Sequence, residues 1–253
     1  MMQLRSLLFV AYLYGLMAVM GTLFIITLVL PRRVIMQGIK AYTRGIRWGM
    51  KAICGIETEL RGLENLPDGP FIYAGKHQCM FDIFVPFLVT SDPVIVMKRE
   101  LLSYPYLGWY ALKSEMIPID RAGTTKTLRA MVAAARERVA QGRQVVIFPE
   151  GTRTTPGDAP RYHAAGIVGL YKALDVPVVP VATNAGLCWP AHGTRRRSGR
   201  IVYEFLPPIE AGLDRRTLMQ RLETDMEASV DVLVREGLAV QGRTHLRQDP
   251  QTT

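Results

Sequence analysis

The sequence predicts an α/β fold: a mixed, substantially parallel sheet flanked by helices, preceded by an N-terminal membrane-anchoring helical segment. Three observations carry this. From about residue 56 onward, short apolar runs bounded by turn residues alternate with helical periodicity, as in a sheet whose strands are joined by crossovers. Ahead of that point stands an uncharged run of 24 residues, Leu7 to Leu30. The chain of 253 residues is long enough to bury a full core in one substantial domain with a small appendage. The expected division is residues 1–55 as anchor and amphipathic helix, 56–240 as the main domain, and 241–253 as a polar tail.

The apolar run comes first. As one helix it would extend roughly 36 Å at ~1.5 Å per residue, enough for a hydrocarbon core of ~30 Å. A secretory leader has an apolar region of only about 7–15 residues and a small-residue cleavage site. Here Pro31-Arg32-Arg33 follows instead, so the run is read as a retained anchor. Arg5 alone precedes it, whereas Arg32, Arg33, Lys40, Arg44, Arg47 and Lys51 follow. That bias predicts the cytoplasmic (inner) membrane, with the main domain on the cytoplasmic side. A long buried core helix and a re-entrant hairpin are the competing readings.

Residues 34–53 are amphipathic. Ile35, Ile39, Tyr42, Ile46, Met50 and Ile53 fall within about 80° of a helical wheel, and Lys40, Arg44, Arg47 and Lys51 gather opposite. Such a helix either lies against anionic headgroups or packs on the domain with its charges in water. Gly38, Gly45 and Gly49 weaken it in both settings.

Within the main domain the strand-like runs are FIYAG (71–75), PVIVM (93–97), EMIPI (115–119), QVVIF (144–148), VPVVPVA (176–182) and IVYEFL (201–206). Residues 124–140 form a helix capped by Thr124 or Thr125, and residues 214–236 another, starting at Asp214 and stopping at Gly237. Charged residues follow four of the strands: His77, then Lys98 and Arg99, then Asp120 and Arg121, then Glu150 and Arg153. Sites in open α/β sheets gather at such strand ends.

Net charge of +9 favours anionic partners, whether membrane surface, phosphorylated substrate or nucleic acid. The three cysteines, Cys54, Cys79 and Cys188, are scattered, which predicts neither a disulfide framework nor a structural zinc site.

The stretch KHQCMFD, residues 76–82, sets His77 five positions before Asp82. On one helix they would point about 140° apart. They meet only if His77 lies in the turn before a helix and Asp82 reaches back from its first turn. The carboxylate would then fix the imidazole tautomer and leave one nitrogen as a base. Spacing alone leaves a surface histidine, a Cys79 nucleophile and a His77/Cys79/Asp82 metal site open. In VVIFPEGTRT (145–154), a sharp strand exit aims Glu150 and Arg153 at the strand end, where an arginine suits a phosphate.

Together these blocks resemble the 1-acylglycerol-3-phosphate acyltransferase family, the PlsC-like lysophospholipid acyltransferases. KHQCMFD, KRELLSYPYLGW with the later IDR, FPEGTR and VPVVPVA appear in the family's order, across roughly residues 60–210. The resemblance implies acyl transfer from acyl-CoA or acyl carrier protein to the free hydroxyl of lysophosphatidate, with no metal or cofactor. It implies His77 as general base and Asp82 as its orienting partner. Arg121, Glu150, Gly151 and Arg153 would shape the glycerol-phosphate site, with Lys98 binding phosphate or donor. Membrane lipids are the other expected partner.

Two residues depart from the commonest family form: Lys76 stands where asparagine is frequent, and Cys79 where serine is. Cys79 raises an acyl-cysteine route as the competing mechanism. Competing functions are the same chemistry on another lysolipid such as lyso-ornithine lipid, thioester hydrolysis, and a membrane-anchored binding protein using TRRRSGR (194–200). No nucleic-acid motif accompanies that basic loop, so nucleic acid is not expected as a partner.

Overall fold

Runs of three to seven residues rich in β-branched and aromatic side chains suit a pleated, buried surface, and seven of them pair into one sheet. The computed structural model describes residues 2–120 and 124–246. The strands are β1 (Ile56–Arg61), β2 (Ile72–Gly75), β3 (Pro93–Lys98), β4 (Ile117–Ile119), β5 (Gln144–Ile147), β6 (Val178–Thr183) and β7 (Gly199–Phe205). Their spatial order is β1-β7-β6-β2-β5-β3-β4. Strands β2 to β6 are mutually parallel, whereas β7 runs antiparallel to β6 and carries β1 parallel to itself. The sheet is therefore mixed and mostly parallel, as predicted.

Helices are α1 (Met2–Leu23), α2 (Arg32–Gly49), α3 (Pro86–Val89), α4 (Leu107–Lys113), α5 (Thr125–Ala140), α6 (Ala164–Leu174) and α7 (Arg215–Val240). Successive strand side chains point to opposite faces, so each central strand feeds two cores. Ile72, Ala74, Val145 and Ile147 meet α5, α6 and α7 on one face, while Tyr73, Val146 and Tyr203 meet α1, α2 and the turn after β2 on the other. All six predicted strand runs fall on strands. Strand β1 was not anticipated, because IETELR is mostly polar and only Ile56 is buried. Helix α6 was missed too: AAGIVGLYKAL is apolar on most sides, since Ile167 and Leu170 face the sheet and Gly169 lies against Leu128 of α5.

Helix α5 starts where expected, with the Thr127 N–H donating to Thr124 Oγ1. Helix α7 starts after Asp214 but runs through Gly237 to Val240, beyond its expected stop. Gly237 is not a terminator: a Cβ there would come within 2.6 Å of Leu187 and 2.7 Å of Asn184, so the glycine allows a close helix–sheet contact.

The N-terminal run departs most from expectation. It is not one helix to Leu30: α1 ends at Leu23, a 3-10 turn covers Ile25–Val29, and Leu30 is extended ahead of Pro31, a residue that disfavours helix before it. Helix α2 then folds back along α1. Gly45 and Gly49 are the contact points, since a Cβ would meet Leu16 at 2.8 Å and Tyr12 at 2.2 Å, and the Tyr12 hydroxyl donates to the Gly45 carbonyl. Glycines that weaken a lone helix here let two helices approach.

Both ends of α1 are tied to the domain. Arg5 Nε donates to the Ile53 carbonyl, Phe9 packs edge-on against Trp189, and Tyr110 donates to the Gly21 carbonyl. Residues 1–55 thus share a core with the domain instead of standing apart from it. Helix α1 is long and apolar enough by length and composition to cross a membrane, yet only Ser6, Phe9, Leu13 and Gly21 are buried. Of the two readings of α2, packing on the domain is the one seen: Ile35, Ile46 and Met50 are buried, Lys40 donates to the Thr90 and Ser91 carbonyls, and Lys51 pairs with Glu57.

Candidate active site

The neighbouring central strands β2 and β5 end side by side, and their exits carry the site. Gly75 ends β2 with Phe148 so close that a Cβ would lie 2.9 Å from its ring. The chain then turns through Lys76–Cys79 into one 3-10 turn, Met80–Ile83. Cys79 is its N-cap and Asp82 reaches back from the third position, a reciprocal cap. This is the geometry the five-residue spacing required, made by a 3-10 turn instead of an α-helix. His77 Nδ1 lies 3.0 Å from Asp82 Oδ2. With Nδ1–H donating to the carboxylate, Nε2 is the nitrogen left for chemistry.

The Phe148 ring packs 4.5 Å from the imidazole. The turn after β5 also holds the histidine's backbone at both ends: His77 N–H donates to Glu150 Oε2 at 2.9 Å, and the Thr154 N–H donates to the His77 carbonyl at 2.8 Å. Glu150 is fully buried. Its other oxygen accepts from Thr154 Oγ1 and pairs with Lys76 Nζ at 2.9 Å. Both carboxylate oxygens are committed to protein donors, so Glu150 bonds the loop that carries the base and forms no bridge to Arg153. The expectation from the sequence is that Glu150 helps to shape the glycerol-phosphate site; its bonds are to the loop that carries His77 and to Thr154.

Lys76, which the sequence offers as a positive charge for an anionic lipid head or as a group lowering the His77 pKa, instead bridges Glu150 and Glu227 of α7, at 2.6 Å from the latter. Burial opposes its charge, but the two carboxylates outweigh that and raise the Lys76 pKa. Cys79 is fully buried, and burial followed by the Asp82 charge pushes its thiol well above the usual range. Its Sγ points at Asp82 Oδ1, 3.2 Å away. A thiol enclosed in this way and turned toward Asp82 is poorly placed to accept an acyl group, which disfavours the acyl-cysteine route.

His77 borders a cavity of about 760 Å3. Apolar side chains make most of its wall: Met17, Met20 and Phe24 from the N-terminal segment, Ile35 and Ile39 from α2, and Phe84, Phe87 and Met97 from the domain. Lys98, Asp120, Gly151 and His163 also line it. Gly151 has φ +65°, and its missing Cβ leaves room for the His163 ring at 3.2 Å. Lys98 pairs with Glu100, and Arg153 is exposed on the same turn as Gly151. Arg121 lies outside the described residues.

The family comparison agrees with this geometry. The Acyltransferase family profile matches residues 57–184. A 1-acyl-sn-glycerol-3-phosphate acyltransferase of Pseudomonas aeruginosa is 32% identical over 242 residues, covering 95% of this chain and 94% of that one. The chain belongs to the PlsC-like acyltransferase family. A namesake from Limnanthes alba is 32% identical over 61% of this acyltransferase and 55% of its own length. The fold is that of the crystal structure of the 1-acyl-sn-glycerophosphate acyltransferase PlsC from Thermotoga maritima, with TM-score 0.74 at 21% identity, over 92% of this chain and 99% of that one.

The site of this acyltransferase contains residues that sequence reasoning missed. Tyr203 donates to Asp82 Oδ1 at 2.7 Å, and Tyr162 donates to Glu227 at 2.5 Å. Tyr203 sits in the predicted strand IVYEFL, but nothing in that run tells which face or which partner it takes. His163 carried a usable signal: it follows the FPEGTR turn and precedes an apolar helix. The basic loop 194–200 is only partly a surface feature, since Arg196 is buried with its guanidinium 4.3 Å above the Trp189 ring.

Proposed function

We propose that this acyltransferase moves a fatty acyl group from acyl-CoA or acyl carrier protein to the sn-2 hydroxyl of lysophosphatidate, giving phosphatidate for phospholipid synthesis. The observation that carries the reading is the His77–Asp82 pair at the wall of a large apolar cavity. The near full-length likeness to a protein named for this activity supports the choice of acceptor. An alkyl hydroxyl is far too weakly acidic for a neutral imidazole to ionise it in advance. His77 Nε2 therefore takes its proton as the oxygen attacks the thioester carbonyl. When the tetrahedral intermediate collapses, the proton passes from His77 to the departing thiolate, and the base is restored. Asp82 holds the tautomer and faces the imidazolium. The apolar wall takes the acyl chain, while Arg153, Gly151, Lys98 and Arg121 bind the phosphate-bearing part of acceptor or donor. Glu150 contributes by holding His77. The reaction so written calls for no cofactor beyond the acyl donor.

Substrate and product are bilayer lipids, so the enzyme works at a membrane. Leu4, Leu7, Leu8 and Val19 of α1, with Leu23, Ile26 and Val29 beside them, present apolar side chains to the outside. Because α1 is tied to the domain at both ends, we take this face to lie in the interface, submerged in the headgroup and acyl boundary. The basic residues around it suit the anionic cytoplasmic leaflet, and the donors are cytoplasmic.

The test is purified protein with lysophosphatidate, other lysolipids and both donor types, products identified by mass. Phosphatidate as the main product is expected. Acylation of another lysolipid alone, free fatty acid as sole product, or lipid binding without turnover would each overturn the reading. His77→Ala should lower turnover by ~10²-fold or more with unchanged thermal melting; near-normal turnover would refute the mechanism.

A further inference from the structure

Asp82 is 1% exposed, and a carboxylate that far from water must replace its lost hydration with protein donors. Its own loop fills Oδ2, through the Gln78 N–H at 2.6 Å, the Cys79 N–H at 2.7 Å and His77 Nδ1 at 3.0 Å. Side chains fill Oδ1: the Tyr203 hydroxyl at 2.7 Å and the Cys79 thiol at 3.2 Å. A thiol is a weak donor, so the hydroxyl supplies most of the stabilisation there. Burial, then the Asp82 charge, pushes the Tyr203 phenol well above its usual range, so it keeps its proton and stays a donor.

We propose that Tyr203 is a positioning residue for the base: its hydroxyl, backed by the Cys79 thiol, fixes the Asp82 carboxylate, limits its basicity, and so sets the orientation and proton affinity of His77. Tyr203 sits on β7, outside every block of residues that the sequence marks for chemistry, and it is buried away from the cavity that His77 borders. The loop carrying the dyad is therefore referenced to β7, the strand that runs antiparallel to β6. Removing the hydroxyl leaves Oδ1 with the thiol alone. The carboxylate then holds protons more tightly, and the imidazole bonded to it does so too. The base would begin to lose its free form at a higher pH. The groups facing Asp82 are His77 and Cys79 on its own loop and Tyr203 on β7, with Tyr73 on β2 and, beyond Cys79, Arg196. Both tyrosines and the thiol are pushed upward, and burial lowers Arg196 only to about 10. Glu150, which accepts from the His77 N–H, and His163 on the same cavity wall also face the base, so a shift of the acid limb is assigned to the His77–Asp82 pair by titrating the His77 ring itself.

The experiment uses the full chain with Tyr203→Phe, Cys79→Ser and the two combined. Phenylalanine keeps the ring contact with Phe81, whose centroid is 6.2 Å away. In Tyr203→Phe, turnover should fall about tenfold with the KM for lysophosphatidate within about twofold, and the acid limb should move up by about half a pH unit. In the double variant, a serine hydroxyl aimed at Oδ1 should restore most of the loss. A purely packing role would not be rescued from residue 79. The kinetic readout rests on the acyl-transfer reading above, so the His77 ring is also titrated by NMR, where Tyr203→Phe should raise its pKa with no substrate present. Wild-type protein that turns over no lysolipid would defeat the functional reading while leaving this titration decisive. An unchanged His77 titration, or a loss that serine does not repair, would overturn the proposal. If Tyr203→Phe fails to melt cooperatively, Cys79→Ala takes its place: it should raise the His77 pKa by less, and no rise would count against the proposal.

Discussion

At Lys76 a single ammonium joins three stretches of chain that the sequence keeps far apart. It contacts Glu150 of the turn after β5 and Glu227 of α7, and it lies 5.5 Å from the Tyr162 ring that precedes α6. The cluster holds two carboxylates against one ammonium, and the Tyr162 hydroxyl shares the load on Glu227. Replacing Lys76 by methionine would leave the buried Glu150 carboxylate without its cation and facing the partly exposed Glu227. Breaking a buried pair in this way costs about 3–5 kcal/mol, so Lys76→Met should lower the melting temperature markedly at neutral pH. A melt within a degree of wild type would show that the bridge carries no weight. The sign of the pH dependence follows from the raised Lys76 pKa. The bridge's contribution is complete below the unfolded-chain value of ~10.4 and is lost as pH climbs through the higher folded value. The variant should therefore differ least from wild type at strongly alkaline pH.

The α1–α2 hairpin shows at the scale of elements what composition alone conceals. Gly45 and Gly49 read as weak points in one helix, because their meaning depends on Leu16 and Tyr12 of another. Gly49→Val would drive a side chain into the Tyr12 ring, and overpacking of this kind costs about 1–3 kcal/mol. The expected outcome is a lower melting temperature and faster proteolysis between α1 and α2; protection equal to wild type would refute the close packing. Local signals were readable where the chain determines its own geometry. The strand exit at Gly75, the reach of Asp82 back to His77, and the caps at Thr124 and Asp214 all depend on residues within a few positions of one another. What was unreadable came from distant partners. The bonds of Glu150 to His77 and Lys76, the Lys76 bridge to Glu227 and the hydroxyl of Tyr203 join residues 73 or more positions apart. Gly237 misled for the same reason, since its close neighbours lie on a segment some fifty residues earlier.

Taken as a whole, the molecule places the candidate site at one end of the parallel strands and most of its uncovered large apolar side chains on the N-terminal segment. Residues on the outer side of α1 have no packing role, so charging them should alter membrane affinity without altering the fold. Leu8, which is 53% exposed, and Val19, which is 58% exposed, are the sites for that change. Leu8→Asp combined with Val19→Asp should reduce co-sedimentation with anionic phospholipid vesicles about tenfold or more, given per-residue costs of a few kcal/mol for charge in the bilayer. Melting temperature should be kept. Vesicle binding equal to wild type would place the membrane-facing surface elsewhere.

Helix α1 is at once the outermost segment and a wall of the inner cavity, because Met17, Met20 and Gly21 border the space beside His77. Removing the first thirty residues would therefore take away part of the wall of the cavity beside His77. An outward apolar face and an inner cavity wall are thus two sides of one helix, and neither can be removed without the other.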